Sequence, residues 1–297
     1  MIVFSEATKE RPLSKSAQDV HQLTELAKLT GCTVYYIPKD FSICETAENA
    51  LWHIPTQAEP TDCFWIGYIP SMQRYSAIYT EAAKKHIKLL NSLDEHQKAQ
   101  EFDYCYPLLA GLTPESISVS QLDECEEVVE KLALPLFVRG AVRSKKALGW
   151  KACVAETVAE LKDIVKDLLG NQYCSRGRVI IRKLIDLRYS RTSDAGFPFG
   201  REYRVFLYKS AVVGYGYYWD GDDPLMDVSP SEEKLILTLA REAAQRLAVP
   251  FIAVDIGQLV DGDWIIIEVN DGQFAGTGHI DLLPFWNKLL TSVTQCR

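Results

Sequence analysis

Residues 251–271 read FIAVDIGQLVDGDWIIIEVND and predict a β-hairpin. Asp261-Gly262 separates two apolar runs, and this dipeptide between such runs is a strong short-range signal for a tight turn. A two-residue turn centred there would place Asp255 directly opposite Glu268, with Asn270 two residues further along the same face. A three-residue turn would shift the register by one residue and separate the two carboxylates.

Two carboxylates that oppose each other across a strand pair repel, so Asp255 and Glu268 would destabilise the hairpin unless a cation lies beside them. Oxygen ligands from two carboxylates and an amide suit Mg²⁺, which keeps its other positions for water and substrate phosphates. We therefore expect Asp255, Glu268 and Asn270 to bind a metal. On this interpretation, replacing Glu268 by Gln leaves the metal-free fold intact or slightly more stable. The alternative is that one of the acids pairs with a nearby Lys or Arg.

Upstream of the hairpin, cations interrupt apolar strands. Residues 179–186, VIIRKLID, place Arg182 and Lys183 on opposite faces of one strand. At least one of them therefore needs a partner, either a phosphate or a local acid. In the next strand, Glu202 and Arg204 are two residues apart and share a face. The Arg204 guanidinium suits forked contact with a phosphate, and a Glu202–Arg204 pair is the alternative.

A basic loop follows the predicted strand of residues 136–138. Residues 139–151, RGAVRSKKALGWK, hold five cations in a chain whose net charge is −8. Gly140 and Gly149 allow the backbone to bend or to approach a ligand closely. Such a loop either covers phosphate groups or lies solvated at the surface.

Length and composition bound the remaining possibilities. With 297 residues, 47% of them hydrophobic and 24% charged, the chain has the size of about two globular domains. No apolar run approaches the ~18 residues that cross a bilayer, and the N-terminus does not resemble a signal peptide. We therefore expect a cytoplasmic protein without a membrane partner. The acidic balance also makes a nucleic-acid partner unexpected.

Several catalytic motifs are absent from the sequence. It contains no P-loop, no GxGxxG, no HExxH and no GxSxG. The eight cysteines include no CxxC pair, which predicts reduced thiols and no structural zinc. The five histidines show no ligand spacing, and we expect them on the surface or on helix faces.

Hydrophobic periodicity divides the chain into an α/β part and an α+β part. Strands and helices alternate in the first third, which is typical of a small sheet with helices on its faces. A stretch rich in Pro, Gly and Ser, residues 106–120, predicts a boundary. Beyond it, the pattern predicts helices at 121–132, 155–169 and 231–247 and strands at 136–138, 179–185, 202–209, 211–219, 251–260 and 264–269, so that the chain closes with two strands.

These blocks, in this order, resemble the ATP-grasp superfamily over roughly residues 134–277. The most specific part is the hairpin, because Asp255 followed by Glu268-Val269-Asn270 is similar to the family's Asp…Glu-x-Asn magnesium set. The resemblance implies a small α/β pre-ATP-grasp domain followed by two ATP-grasp subdomains, with ATP held between their antiparallel sheets. The implied ranges are residues 1–115, 116–186 and 187–297.

The resemblance also implies roles for single residues. Arg139 stands where the family has a phosphate-binding lysine, and residues 144–149 stand where it has a phosphate-covering loop. Residues 182–185 resemble the hinge that holds adenine, and Glu202 resembles the acid beside the ribose or the hinge. Arg139 for a lysine, Arg182 for an acid and a basic covering loop depart from the family pattern. The implied nucleotide-binding residues are Arg139, Lys146, Arg182, Lys183, Leu184, Ile185 and Glu202, the metal ligands are Asp255, Glu268 and Asn270, and the catalytic charges are Arg139 and Arg204.

The implied activity is an ADP-forming ligation of a carboxylate to an amine, dependent on ATP and Mg²⁺ and passing through an acyl phosphate. Small-molecule or peptide carboxylates and amines would be the substrates. The insertion of residues 187–200 would lie at the mouth of the cleft, where Arg188 and Arg191 would hold a substrate carboxylate. The alternatives are a kinase of the same fold and a non-catalytic nucleotide-binding module.

Overall fold

A parallel sheet covered by helices opens the chain in the computed structural model, which describes residues 1–8 and 14–295. Helix α1 (Lys15–Leu29) begins at Ser14, whose side chain accepts from the backbone N–H of Ala17. The strands are β1 (Ile2–Ser5), β2 (Thr33–Tyr36), β3 (Thr61–Ile66) and β4 (Ile87–Leu89), in the order β2-β1-β3-β4, and the other helices are α2 (Ala47–Leu51), α3 (Met72–Lys84), α4 (Leu93–Gln100) and α5 (Phe102–Leu109).

A second, antiparallel sheet occupies the middle of the chain. Helix α7 (Val158–Leu169) covers it and buries Leu161, Val165 and Leu168, which lie at helical spacing. A capping box between Thr157 and Glu160 fixes the start of this helix. The strands are β5 (Ser116–Val119), β6 (Leu136–Gly140), β7 (Val154–Ala155) and β8 (Val179–Lys183), in the order β5-β8-β6-β7, and the other helices are α6 (Glu124–Leu132) and α8 (Gln172–Ser175).

A third, antiparallel sheet carries the longest strands and follows a small hairpin of β9 (Tyr189–Thr192) and β10 (Pro198–Gly200). Its strands are β11 (Glu202–Tyr208), β12 (Ala211–Tyr217), β13 (Phe251–Gln258) and β14 (Trp264–Asp271), in the order β12-β11-β13-β14, and its helices are α9 (Pro230–Leu247) and α10 (Leu282–Gln295). The mixed α/β architecture, with one parallel and two antiparallel sheets, confirms the expected fold class.

The two faces of the third sheet have different partners. On one face, Tyr203, Val205 and Val254 pack against α9. On the other face, Phe206 and Phe251 pack against α10, and the Phe206 ring centroid lies 5.3 Å from that of Phe285. The rest of this second face carries charged side chains, and these form the candidate site.

The turn between β13 and β14 is longer than the sequence predicts. Leu259 N–H donates to the Asp263 carbonyl at 2.8 Å, which leaves a three-residue turn. Gly262 takes a positive φ of +102° there, as glycine does at the third position of such a turn. A β-bulge at Ile267 then adds one residue to β14 and restores the register, so Asp255 still lies opposite Glu268.

Other elements were not predicted from the sequence. The chain ends in helix α10 rather than in two strands, and Phe285 and Trp286 of this helix are buried. The stretch expected to be a boundary, residues 106–120, contains the end of α5 and all of β5. In both places a short apolar segment with a proline conceals the helical period.

Two buried polar contacts join the first part of the chain to the third sheet. The Asn91 side chain donates to the Phe251 carbonyl at 2.8 Å and accepts from the Phe251 N–H at 2.9 Å. His96, expected on a surface, is fully buried instead, with Nδ1 2.8 Å from Asp271 Oδ2. These contacts fix both ends of the strand pair that carries the candidate site.

The cysteines within residues 1–8 and 14–295 are free thiols, as expected, and Cys296 lies outside the described residues. In the same part of the chain, no helix has the length and apolarity that a membrane crossing requires.

Candidate functional site

A row of charged side chains crosses the third sheet. The register places Arg204 of β11 beside Asp255 of β13, and Asp255 opposite Glu268 of β14. The Arg204 guanidinium donates to both Asp255 oxygens at 2.7 Å. Arg139, near the end of β6 in the second sheet, donates to Glu268 Oε1 at 2.8 Å. Each acid therefore has its own arginine, and the Arg139–Glu268 pair joins the two antiparallel sheets.

The repulsion expected between Asp255 and Glu268 is thus offset within the protein itself. Burial alone would raise the pKa of Glu268, but the charge and hydrogen bond of Arg139 outweigh it and lower that pKa. Arg139 is only 3% exposed, so an uncharged residue at position 268 would leave a buried guanidinium without its counter-charge. The geometry therefore argues against the expectation that Gln at position 268 leaves the metal-free fold undisturbed.

A cavity lies between the second and third sheets, next to this row. Part of its wall is apolar and includes Phe137, Leu184 and Ile267. Another part is cationic, formed by residues of β6, β8 and the covering loop, residues 144–149. A flat apolar slot beside clustered cations suits a ligand with an aromatic ring and phosphate groups.

Arg182 is a buried cation in this cavity with unmet hydrogen-bonding capacity. Its Nη1 donates to the Ile267 carbonyl at 2.8 Å, while Nε and Nη2 have no partner. Burial, and next the charge of Arg139, lower the pKa of Arg182 to about 9. The guanidinium also stacks on Phe102, 4.3 Å from the ring centroid. Unpaired donors on a buried cation favour an anionic ligand such as a phosphate.

Lys146 and Glu202 line the same cavity. Lys146 Nζ lies 4.5 Å from the Tyr218 ring centroid and 4.6 Å from that of Trp219. Glu202 is 3% exposed and its Oε2 has no hydrogen-bond partner. Burial raises the pKa of Glu202 to about 7, although Lys146 opposes this shift. Glu202 can therefore accept a ligand hydroxyl as a partner for its free oxygen.

Glu202→Gln is expected to change how stability depends on pH. The folded protein holds the Glu202 proton up to about pH 7, whereas the unfolded chain releases it near 4.5, so wild-type stability falls as pH rises between these values. The variant has no such proton and gains stability over the wild type, little at pH 5 and roughly 3 kcal/mol at pH 8. Urea unfolding at both pH values measures this difference. Equal differences at the two pH values, or the same gain in the exposed control Glu130→Gln, would contradict the assignment.

A second cavity, of about 410 Å³, adjoins the first. The two share Ser144, Lys146 and Glu268. The second cavity extends to α1 and the end of β3, where Val20 and Ile66 form an apolar wall. A ligand in the first cavity and a ligand in the second would therefore meet at Glu268.

The structure brings most of the residues chosen from the sequence together. Asp255 is 1% exposed and lies behind Arg204. Arg188 and Arg191 lie apart from the cluster, since Arg188 contacts Gln258 and Arg191 pairs with Asp223 at 2.9 Å. The first cavity is lined by Arg139, Lys146, Arg182, Lys183, Leu184, Ile185, Glu202 and Glu268, and the second by Lys146, Arg204, Glu268 and Asn270.

Sequence reasoning missed the aromatic and polar neighbours of these charges. Phe102, under the guanidinium groups of Arg139 and Arg182, comes from α5, which was not predicted. Gln100 donates to Asn270 Oδ1 at 3.2 Å from the adjacent helix. The pair Tyr218-Trp219 was visible as two aromatic residues at a strand end, but nothing local connects it to Lys146.

The residues suit a magnesium ion that brings part of its ligand shell with it. Asp255, Glu268 and Asn270 offer two carboxylates and an amide oxygen on facing positions of one hairpin. Among the residues that the structure describes, no three His, Cys, Asp or Glu side chains are grouped so that they could hold a metal by themselves. Mg²⁺ commonly binds through one or two carboxylates plus substrate phosphates, and this donor set fits that mode.

Two antiparallel sheets around a cation-lined cavity, with an Asp…Glu-x-Asn hairpin at its edge, define an ATP-grasp protein. The chain belongs to this family: the model of an ATP-grasp domain, family 3 of its clade, matches residues 127–289, more than half of the chain. This confirms the resemblance seen in the sequence. No curated protein matches the sequence significantly.

Solved structures share the fold over nearly the whole chain. D-alanyl-alanine synthetase A from Vibrio cholerae is 12% identical, with a TM-score of 0.63 over 99% of this chain and 97% of that one. D-cycloserine synthetase DcsG is 12% identical, with a TM-score of 0.63 over 98% and 99%. The ATP-grasp ligase PsnB, complexed with minimal precursor, Mg and ADP, is 15% identical, with a TM-score of 0.58 over 99% and 98%. At these identities the similarity concerns the fold.

Proposed function

We propose that the protein is an ATP- and Mg²⁺-dependent ligase that joins a carboxylate to an amine with release of ADP and phosphate. The observation that carries the proposal is the position of Glu268, which lies in the walls of both cavities and pairs with Arg139. ATP in the first cavity and a carboxylate in the second would meet there. Structural neighbours that are amino-acid and peptide ligases support the same reaction class.

The proposed chemistry has two steps. A carboxylate oxygen takes the terminal phosphoryl group of ATP, and the bond from that phosphorus to ADP breaks. An amine then attacks the acyl phosphate carbon, phosphate leaves and the amine loses a proton. Arg139 and Arg204 would stabilise the developing negative charge, and Arg182 would neutralise phosphate charge in the first cavity. Mg²⁺, bound by Asp255, Glu268 and Asn270, would supply further neutralisation of the phosphates.

The nucleotide would also use the neutral parts of the first cavity. The segment of Lys183, Leu184 and Ile185 follows β8 and would hold the base, whereas Glu202 would accept a ribose hydroxyl. Residues 116–186 carry the covering loop, and we propose that they act as the nucleotide-covering subdomain beside residues 1–115 and 187–297. The substrates would be small-molecule or peptide carboxylates and amines.

A non-catalytic nucleotide-binding module is the second candidate. It is favoured by the bidentate Arg204–Asp255 pair, because both Asp255 oxygens are already engaged at 2.7 Å. A kinase of the same fold would use the same nucleotide cavity. Product analysis distinguishes the three, since a ligase yields an amide, a kinase a stable phosphate ester and a binding module no product.

Nucleotide binding is the first test of the proposal. ATP or ADP with Mg²⁺ is expected to raise Tm, because a ligand that binds only the folded state stabilises it, by about 2.7 kcal/mol at a hundred times its Kd. Thermal scans at increasing millimolar nucleotide measure the shift, with inorganic phosphate as the control for nonspecific anion effects. If neither nucleotide raises Tm beyond phosphate, the proposal fails. If Tm rises, a screen of amino acids and peptides for ADP release and amide formation tests ligation.

A further inference from the structure

The hairpin of residues 187–200 contacts the covering loop, although 38 or more positions separate them in the sequence. Gly149, at the end of this loop, has a φ of +99°, and a Cβ built there would lie 2.4 Å from the Ala195 carbonyl oxygen. The next residue, Trp150, has its ring centroid 6.2 Å from that of Phe197. Only glycine permits this approach at position 149, because any side chain would meet the hairpin backbone.

The same hairpin supports the aromatic platform under Lys146. The Trp219 ring centroid lies 6.4 Å from that of Phe197 and 4.6 Å from that of Phe199. Trp219 Nε1 donates to the Gly200 carbonyl at 2.9 Å. Lys146 Nζ lies 4.6 Å from the Trp219 centroid, a distance at which a cation is attracted to the ring face. The covering loop is thus held at Gly149 by the hairpin tip and at Lys146 by an aromatic ring that the hairpin supports.

The base of the hairpin is fixed to the third sheet. Arg191 pairs with Asp223 at 2.9 Å and stacks on Phe199, 4.8 Å from the ring centroid. Arg188 N–H donates to the Gln258 carbonyl at 2.8 Å, and Leu187 bridges to Leu259. These contacts use the two arginines that the sequence assigned to a substrate carboxylate. Leu187, Tyr189, Phe197 and Pro198 of the hairpin line the first cavity.

We propose that the hairpin is a strap that holds the covering loop closed over the nucleotide phosphates, and that Trp219 is the residue that positions Lys146 for them. This rests on the proposed function only in placing a nucleotide in the first cavity. The hairpin then determines nucleotide affinity and has no direct part in holding the acceptor.

Substitutions at Trp219 test the proposal most directly. Trp219→Leu keeps an apolar side chain but removes the ring face, and it is expected to weaken Mg²⁺–ATP binding about tenfold. Trp219→Phe retains a ring and is expected to restore most of the affinity. Adenosine, which lacks phosphates, is expected to bind all three proteins within about twofold, because the strap acts on the phosphate end. Titration calorimetry measures each affinity.

A second variant tests the contact at the hairpin tip. Gly149→Ala is expected to weaken ATP binding by at least about tenfold and to raise amide hydrogen exchange in residues 144–150. Gly262→Ala is the matched control, because Gly262 has a φ of +102° but no atom within 4 Å of its Cβ position, so it reports backbone strain alone. ATP affinity unchanged in both Gly149→Ala and Trp219→Leu, with normal wild-type binding, would overturn the strap and leave the nucleotide site standing. A wild type that binds no ATP would overturn both.

Discussion

Glu268→Gln is expected to remove the contribution of Mg²⁺ to ATP affinity and to lower Mg²⁺-dependent ADP release by about 10²–10³-fold. Glu268 offers a charged oxygen at the point where the two cavities meet, and a neutral amide binds Mg²⁺ far less well. Titration calorimetry with ATP, in Mg²⁺ and in EDTA, measures the first effect without any knowledge of the acceptor. Equal Mg²⁺ dependence in the variant and the wild type would exclude Glu268 from the metal site.

The same substitution is expected to destabilise the protein in the absence of metal, by about 3 kcal/mol. It leaves Arg139 buried beside the second buried guanidinium, Arg182, without the carboxylate that it contacts at 2.8 Å. Urea unfolding in EDTA measures the loss, and Asp263→Asn is the control, since it removes an exposed carboxylate at the start of the same hairpin arm. An unchanged stability in Glu268→Gln would show that the pair with Arg139 is not structurally important.

Arg182→Met is expected to have opposite effects on stability and on binding. It removes a buried charge with two unpaired donors, so the nucleotide-free protein should gain about 1–4 kcal/mol of unfolding free energy. It also removes a phosphate partner, so the Kd for ATP should rise at least about tenfold. Chemical denaturation and titration calorimetry measure the two effects.

Lys183→Met is the matched control for this experiment. Lys183 is the next residue on β8, but its side chain is 59% exposed and lies 3.7 Å from Glu115, so the loss of its charge should change stability little. If Arg182→Met lowered stability and left ATP affinity unchanged, Arg182 would be a structural residue that anchors the Ile267 carbonyl. If both variants weakened ATP binding equally, the effect would be one of general charge.

The hairpin shows how a local signal can lead to the right pairing through the wrong turn. Asp261-Gly262 predicted a two-residue turn, whereas the chain forms a three-residue turn and then a bulge at Ile267. The two departures cancel, so Asp255 opposes Glu268 as expected. Turn chemistry is read from two or three residues, but a bulge depends on what packs against the strand, and the sequence carries little signal for it.

The charges show a different division. Arg204 and Arg139 were expected to face phosphates, and the structure pairs them with the two acids of the hairpin. Each pair joins residues of different strands, separated by 51 and 129 positions in the sequence. Local spacing indicates which face of a strand a side chain occupies, but not which strand lies next to it.

The sequence by itself determined the family, the fold class and the residue types of the site. The Asp…Glu-x-Asn hairpin and the order of the basic blocks are local features, and strand alternation places their side chains on one face. Only the tertiary structure decided that each acid has an arginine partner, that Arg182 is buried with unpaired donors and that residues 187–200 contact the covering loop. These properties arise where separate sheets meet, and burial and long-range packing set them rather than any repeat within the chain.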